Sequence, residues 1–250
     1  MFKTDAKTPK GEETRARVFQ TAMRLFREKG FEATTMRDVA AGAGLSLGAA
    51  YHYFPSKDSI VLAYYDQIQD THAERVRAIV GPDASAPAGS LRERLGGAMH
   101  GKLEILRHDR PLMGALLRYT GEPGHPLSFL GDGTRDLQLR SVAVFADALA
   151  GERLPKDMEM LVPMLAWALH MGLLLYFLDD TSAGHTRTRK LTDGAVDLFV
   201  KSLSLMKLPI LRPMRRRVVA LLEEAGLVPK PEAVARFRAR AARTTREETA

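Results

Sequence analysis

"TTMRDVAAGAGLSLGAAYHYFPSKDSI", residues 34–60, holds the signals of three helix starts in one short stretch. Thr35 can cap a helix beginning at Met36, and Asp38, three residues on, is the partner that a capping box requires. Gly44 breaks that helix and tolerates the positive φ of a tight turn. Ser46 can cap a second helix over 47–53, which Pro55-Ser56 ends. Ser56 can then cap a long helix from Lys57. Two short helices around a glycine turn is the plan of a helix-turn-helix. Ala40 is small enough for the helices to cross closely, and Val39, Leu45, Ala50 and Phe54 fall on the inward side. On spacing alone the same stretch also fits an ordinary helical hairpin.

The rest of the chain reads as helix. Residues 1–11, with Lys3, Lys7 and Lys10 among small and polar residues, form an expected disordered basic arm. A helix over 12–29 repeats Val18, Ala22, Leu25 and Phe26 on one face, and Gly30-Phe31 ends it. After a small-residue loop at 81–90, the pattern predicts helices over 91–107, 111–119, 127–150 (irregular near 131–133), 156–179, 187–207 and 209–225. A weak last helix is predicted over 231–243. No strand or internal repeat is evident. The fold class is all-α. The expected division is a three-helix domain over 12–56 that carries the helix-turn-helix, a larger helical domain over 57–226 and a basic extension over 227–250.

The stretch 34–60, the preceding "AMRLFREKGFEATTM" (22–36) and the Tyr-x-Tyr-Phe-x-x-Lys ending at Lys57 resemble the DNA-binding segment of the TetR family of transcriptional regulators. The resemblance covers about residues 12–62; beyond them only size and helix layout match. It implies that residues matching Tyr51, Tyr53 and Lys57 contact the phosphate backbone and that the residue matching Arg37 can reach a guanine. The second motif helix would lie in the major groove, with Ser46 and the free N–H groups at its start near a phosphate. With Ala50 and Phe54 turned inward, Leu47, Gly48, Ala49, Tyr51 and His52 are left on the groove side. Thr35 completes the expected DNA face. Family members often carry a polar residue and a threonine where this chain has Leu47 and Ala49. Base readout is therefore expected from Arg37, His52 and apolar contacts to thymine methyls. A second departure is Ala50, where Leu is frequent; the smaller residue is expected to loosen helix packing unless a neighbour such as Phe31 fills the gap.

Paired modules on a two-fold axis read half-sites on successive turns, so a homodimer on a palindromic double-stranded operator is expected. The resemblance assigns the dimer surface to the helices over 156–179 and 187–207, the latter with Leu191, Leu198 and Leu205 among its apolar residues. The middle helices are expected to enclose an unidentified, largely apolar effector. Candidate walls are Met99, Leu103, Met113 and Leu117, then Phe145, Met164, Trp167, Met171 and Leu174, with His100 and His170 as polar handles. Ligand release of a repressor is the expected mechanism. The alternatives are a ligand-independent regulator or activator of the same fold and, more remotely, a membrane-associated helical protein.

Composition is consistent with this. Of the 250 residues, Lys and Arg number 37 and Asp and Glu 30, for a formal net charge of +7, which suits a polyanionic partner. From Lys207 onward, eleven Lys/Arg face five Asp/Glu, so most of the excess lies in the C-terminal part. With no cysteine, disulfides and thiolate metal sites are excluded. The seven histidines show no metal-ligand spacing, and no phosphate loop or nucleophile elbow is present, so no enzyme, metal or cofactor is expected. The polar start points to the cytoplasm. The apolar run 160–178 is long enough to span a membrane, but His170, Pro163 and the flanking acids mark it as a helix buried in protein, with no membrane partner.

Overall fold

The computed structural model describes residues 8–83, 85–122, 124–128 and 131–225. Among them ten α-helices follow in order: α1 Pro9–Lys29, α2 Met36–Gly42, α3 Leu47–Tyr53, α4 Lys57–Val80, α5 Leu91–Leu106, α6 Arg110–Leu117, α7 Arg135–Ala148, α8 Leu161–Asp179, α9 Thr186–Met206 and α10 Arg212–Glu224. Short 3-10 turns join several of them, and no strand occurs among the described residues. Chain contacts separate two units, Met1–Asp70 with Ile105–Leu137, and Thr71–Glu104 with Gln138–Ala250. The division falls inside α4, whereas the sequence reading placed the domain boundary at 56/57.

The first unit is built on α1. That helix opens at Pro9 rather than at Glu12, because Thr8 accepts the N–H of Gly11 at 3.2 Å and Pro9 is preset for a first helical turn. Residues 8–11 therefore belong to the helix and not to the arm, and residues 1–7 lie outside the described part. Val18, Ala22, Leu25 and Phe26 are all buried, as their spacing required. Gly30 ends the helix at φ +90°, its N–H on the Phe26 carbonyl. Phe31 then packs edge-on against Phe26 and Tyr119. Ala50 is itself fully buried. Arg27 reaches a carboxylate 82 positions away in the chain. Asp109 accepts from Arg27 Nε at 2.6 Å, from Nη2 at 3.0 Å and from the Tyr64 hydroxyl at 2.5 Å.

In the second unit the apolar core is supplied by α4, α5, α7, α8 and α9, through residues such as Val76, Leu95, Met99, Phe145, Val162, Leu173 and Val196. Two buried arginines tie its helix ends. Arg94 donates to the carbonyls of Gly89, Ala148 and Ala150, closing the C-terminus of α7. Arg215 donates to Met206 and Leu208 at the end of α9 and pairs with Asp157 at 3.1 Å. One of the three consecutive arginines of the basic C-terminal part is therefore a structural residue. Asp180 holds the start of α9 through the N–H and hydroxyl of Thr188, and these hydrogen bonds keep its carboxyl far below the usual range.

Three predicted helices start later than expected. α10 begins at Arg212, after a 3-10 turn at Pro209–Leu211. α7 begins at Arg135, not at 127. The preceding residues form consecutive turns, with Ser128 N–H on His125, Gly131 N–H on Ser128 and the Thr134 hydroxyl on the Ser128 carbonyl. Such local side-chain bonds compete with the helix ladder. α8 begins at Leu161, after a separate 3-10 turn at Lys156–Met158. The predicted helix at 231–243 and the extension 227–250 lie outside the described residues.

Candidate nucleic-acid interface

The helix-turn-helix is fixed by its caps. The Thr35 hydroxyl accepts the Asp38 N–H at 3.1 Å, while Asp38 accepts the Thr35 N–H at 2.8 Å and its hydroxyl at 2.7 Å. This complete capping box lowers the Asp38 pKa. At the other end of α2, Gly44 sits at φ +67°. The Gly44 N–H reaches the Ala41 carbonyl and the Leu45 N–H the Ala40 carbonyl, the pair of bonds that closes a Schellman turn. The Ser46 hydroxyl accepts the Ala49 N–H at 3.2 Å and starts α3 at the resulting angle. Val39, Ala40, Ala50 and Phe54 are buried, as expected. Sequence reasoning missed Gly42. A β-carbon there would stand 2.8 Å from the Thr21 methyl, so α1 and α2 approach closely at this residue.

With Ala50 and Phe54 inward, the rest of α3 faces out. Gly48, Tyr51 and His52 are exposed, and Leu47, Ala49 and Tyr53 are half-buried. Arg37, Thr35 and Ser46 are exposed as well. The structure leaves this whole set at or near the surface of one unit, though the hydroxyls of Thr35 and Ser46 serve their caps. His52 stands edge-to-face on Tyr53, ring centroids 5.3 Å apart. A β-carbon added at Gly48 would meet nothing within 4 Å, so the α3 surface is open at that point.

Lys57 behaves differently from its neighbours. Its ammonium donates to the Phe31 carbonyl at 2.7 Å and the Glu32 carbonyl at 3.4 Å, and lies 4.5 Å above the Phe31 ring. It joins the start of α4 to the loop after α1, over a sequence separation that no local pattern reveals. Arg15, which the sequence reading passed over, stacks at 4.7 Å on the Phe54 ring.

The candidate effector residues fall in both units. Met113 and Leu117 belong to the first; Met99, His100, Leu103, Phe145, Met164, Trp167, His170, Met171 and Leu174 belong to the second. Met99, Leu103, Phe145 and Leu174 are core residues, and Met164, Trp167 and Met171 are half-buried on α8. His100 is not an interior handle: its Nε2 lies 2.9 Å from Asp193 at a partly exposed position. His170 is interior, its ring 5.4 Å from Phe145 and stacked at 6.1 Å on His72. No group of three His, Cys, Asp or Glu that could hold a metal occurs among the described residues.

Comparison with known proteins supplies the context for these two units. A family profile described as bacterial regulatory proteins, tetR family, matches residues 18–64. A second, the tetracyclin repressor-like C-terminal domain, matches residues 94–221. The chain is 37% identical over 84 residues to the HTH-type transcriptional regulator TtgR of Pseudomonas putida, covering 34% of this chain and 40% of that protein. It is 35% identical over 94 residues to the HTH-type transcriptional repressor KstR2 of Mycobacterium tuberculosis, covering 38% and 44%. The aligned part thus spans about two fifths of these relatives' length. Among solved structures, a tetR-family transcriptional regulator from Streptomyces coelicolor superposes with a TM-score of 0.60 at 22% identity, over 92% of this chain and 98% of that one. A regulator of the same family from Rhodococcus sp. gives 0.57 at 20% identity, over 75% and 98%.

Proposed function

Because the chain belongs to the TetR family of bacterial regulatory proteins, we propose that it is a sequence-specific DNA-binding transcriptional regulator. In this reading it is a homodimeric repressor, released from a palindromic operator by a small, largely apolar ligand. The observation that carries the DNA-binding part is the outward face of α3, exposed on a helix anchored by buried Ala50 and Phe54. That face offers a glycine with open space, two small apolar side chains, a tyrosine and a histidine, with Arg37 on α2 as the strongest base reader. Tyr51 and Tyr53 are suited to phosphates. Lys57 has two carbonyl partners, and its role at a phosphate rests on the donor capacity it retains.

Supporting the dimer, α8 and α9 leave an apolar surface uncovered: Leu175, Tyr176, Leu191, Leu198 and Leu205 are exposed, Leu198 by 67%. Leu191, Leu198 and Leu205 recur every seven residues, the spacing of a helix-packing seam. Apolar patches of this kind mark interaction surfaces. The segment Lys156–Asp179, a 3-10 turn followed by α8, is long and apolar enough to cross a membrane, and less than half of its most apolar part is buried. A second copy covering it accounts for the same composition in a cytoplasmic protein.

The decisive experiment is selection of binding sites from random double-stranded DNA, followed by footprinting. A palindrome protected at nanomolar protein and moderate salt is the expected result. Equal binding to all sequences, with no protected site, refutes the regulator reading.

A further inference from the structure

Two buried polar side chains in the second unit have no hydrogen-bond partner: His170, at both ring nitrogens, and Thr192, at its hydroxyl. Both are essentially inaccessible, at 2% and 0% exposure. Polar groups withdrawn from water are nearly always paired, so each of these points to something that completes it. They also lie near one another in the fold. α8 and α9 are consecutive and pack together. His170 lies nine residues before the end of α8 and Thr192 six after the start of α9. At ~1.5 Å per residue the two positions fall within about one helical turn along the hairpin.

The surroundings restrict what the missing partner can be. Phe145, Ala166, Leu173 and Val196 make the neighbourhood apolar, and the half-buried Met164 and Met171 on α8 are adaptable. His72 is fixed, its Nε2–H on the Ala98 carbonyl at 2.8 Å. Burial, and then the neighbouring titratable His72 and Lys102, hold the His170 pKa well below its ordinary value. His170 is therefore a neutral imidazole with one N–H to give, and Thr192 has one O–H. Two donors in an apolar interior fit an acceptor oxygen.

We infer that the interior around His170 and Thr192 is the effector site and that its occupant carries a carbonyl-type acceptor oxygen on an apolar body. The inference rests on the effector reading above and deepens it. His170 and Thr192 orient the carbonyl, and the apolar side chains around them take the body.

The test uses the full chain and three probes of equal chain length, 2-nonanone, nonane and nonanoate, below their solubility limits. Trp167, the single tryptophan, three residues from His170, reports binding by fluorescence. His170→Phe is expected to weaken 2-nonanone about tenfold, the value of one hydrogen bond, and to leave nonane within twofold. Thr192→Val, close in shape to the native residue, is expected to weaken 2-nonanone several-fold and serves if His170→Phe does not fold. Equal effects on ketone and alkane overturn the inference, as does nonanoate binding more tightly than the ketone. Absence of saturable binding of any probe to the unaltered protein also overturns it. Footprinting on the selected operator is run in parallel: protection without probe binding sinks only this inference, and loss of protection in the unaltered protein sinks the regulator reading.

Discussion

Replacing Asp109 with alanine is the sharpest perturbation of the first unit. Three donors converge on that carboxylate, two from Arg27 and one from Tyr64. Their weights differ. The Arg27 side chain is about half exposed, so once Asp109 is gone its guanidinium returns to water, and the lost pair is a screened surface one of about 0–1 kcal/mol. Tyr64 is buried, and its hydroxyl would be left without an acceptor, at about 1–3 kcal/mol. Asp109→Ala is therefore expected to cost roughly 1–4 kcal/mol, read by urea unfolding with far-UV circular dichroism. If most of this is the stranded hydroxyl, adding Tyr64→Phe to Asp109→Ala recovers about 1–2 kcal/mol, so the double variant is more stable than the single. The pH dependence follows from the charge. Burial pushes the Asp109 pKa up, but the bonds from Arg27 and Tyr64 and the Arg27 charge outweigh it, and the folded value lies below the ordinary one. A depressed carboxylate stabilises above its unfolded pKa of about 3.9 and loses that contribution as pH falls through the folded value. The gap between wild type and Asp109→Ala is thus full at neutral pH and narrows below about pH 4. A cost under about 0.5 kcal/mol, or no recovery in the double variant, refutes the reasoning.

Gly48→Ala should raise the stability of α3 by up to about 1 kcal/mol, since the added methyl meets open space. If the recognition helix meets DNA closely there, the same variant loses operator affinity, so melting temperature and gel-shift affinity move in opposite senses. Arg37→Ala is expected to cost about 1–3 kcal/mol of binding and to relax preference at one guanine, measured on the selected operator and its single-base variants. Leu198→Glu places a charge on an exposed apolar stripe and should shift sedimentation from dimer to monomer while the helical signal of the chain stays intact.

What the sequence made legible is short-range. Thr35, Asp38, Gly44 and Ser46 act within four residues of themselves, so caps and turn could be read directly, and the faces of α1 and α3 followed from helical spacing. What escaped is long-range or competitive. Lys57 on the Phe31 carbonyl and Arg27 on Asp109 are partners joined only by the fold. Gly42 passed unnoticed because its neighbour, the Thr21 methyl, is on another helix. The start of α7 was misplaced because Leu127 keeps helical spacing while Ser128 and Thr134 bind nearby carbonyls instead. Arg215 reads as part of a basic run, and only its position beside the end of α9 reveals it as a cap. The DNA face was accordingly readable as a surface, whereas His170 and Thr192 became notable only once their lack of partners was visible.

The bond from Lys57 to the Phe31 and Glu32 carbonyls has a mechanical meaning. It is a rivet at the point where α4 begins, set into the same loop that ends α1. A turn or tilt of that first stretch of α4 therefore pulls on the root of the reading head itself. Loosening this rivet, for instance with Lys57→Met, would let α4 move while α2 and α3 lag behind. Operator binding would then fall by about the worth of one phosphate contact while its response to the effector falls further, a partial separation of reading from control.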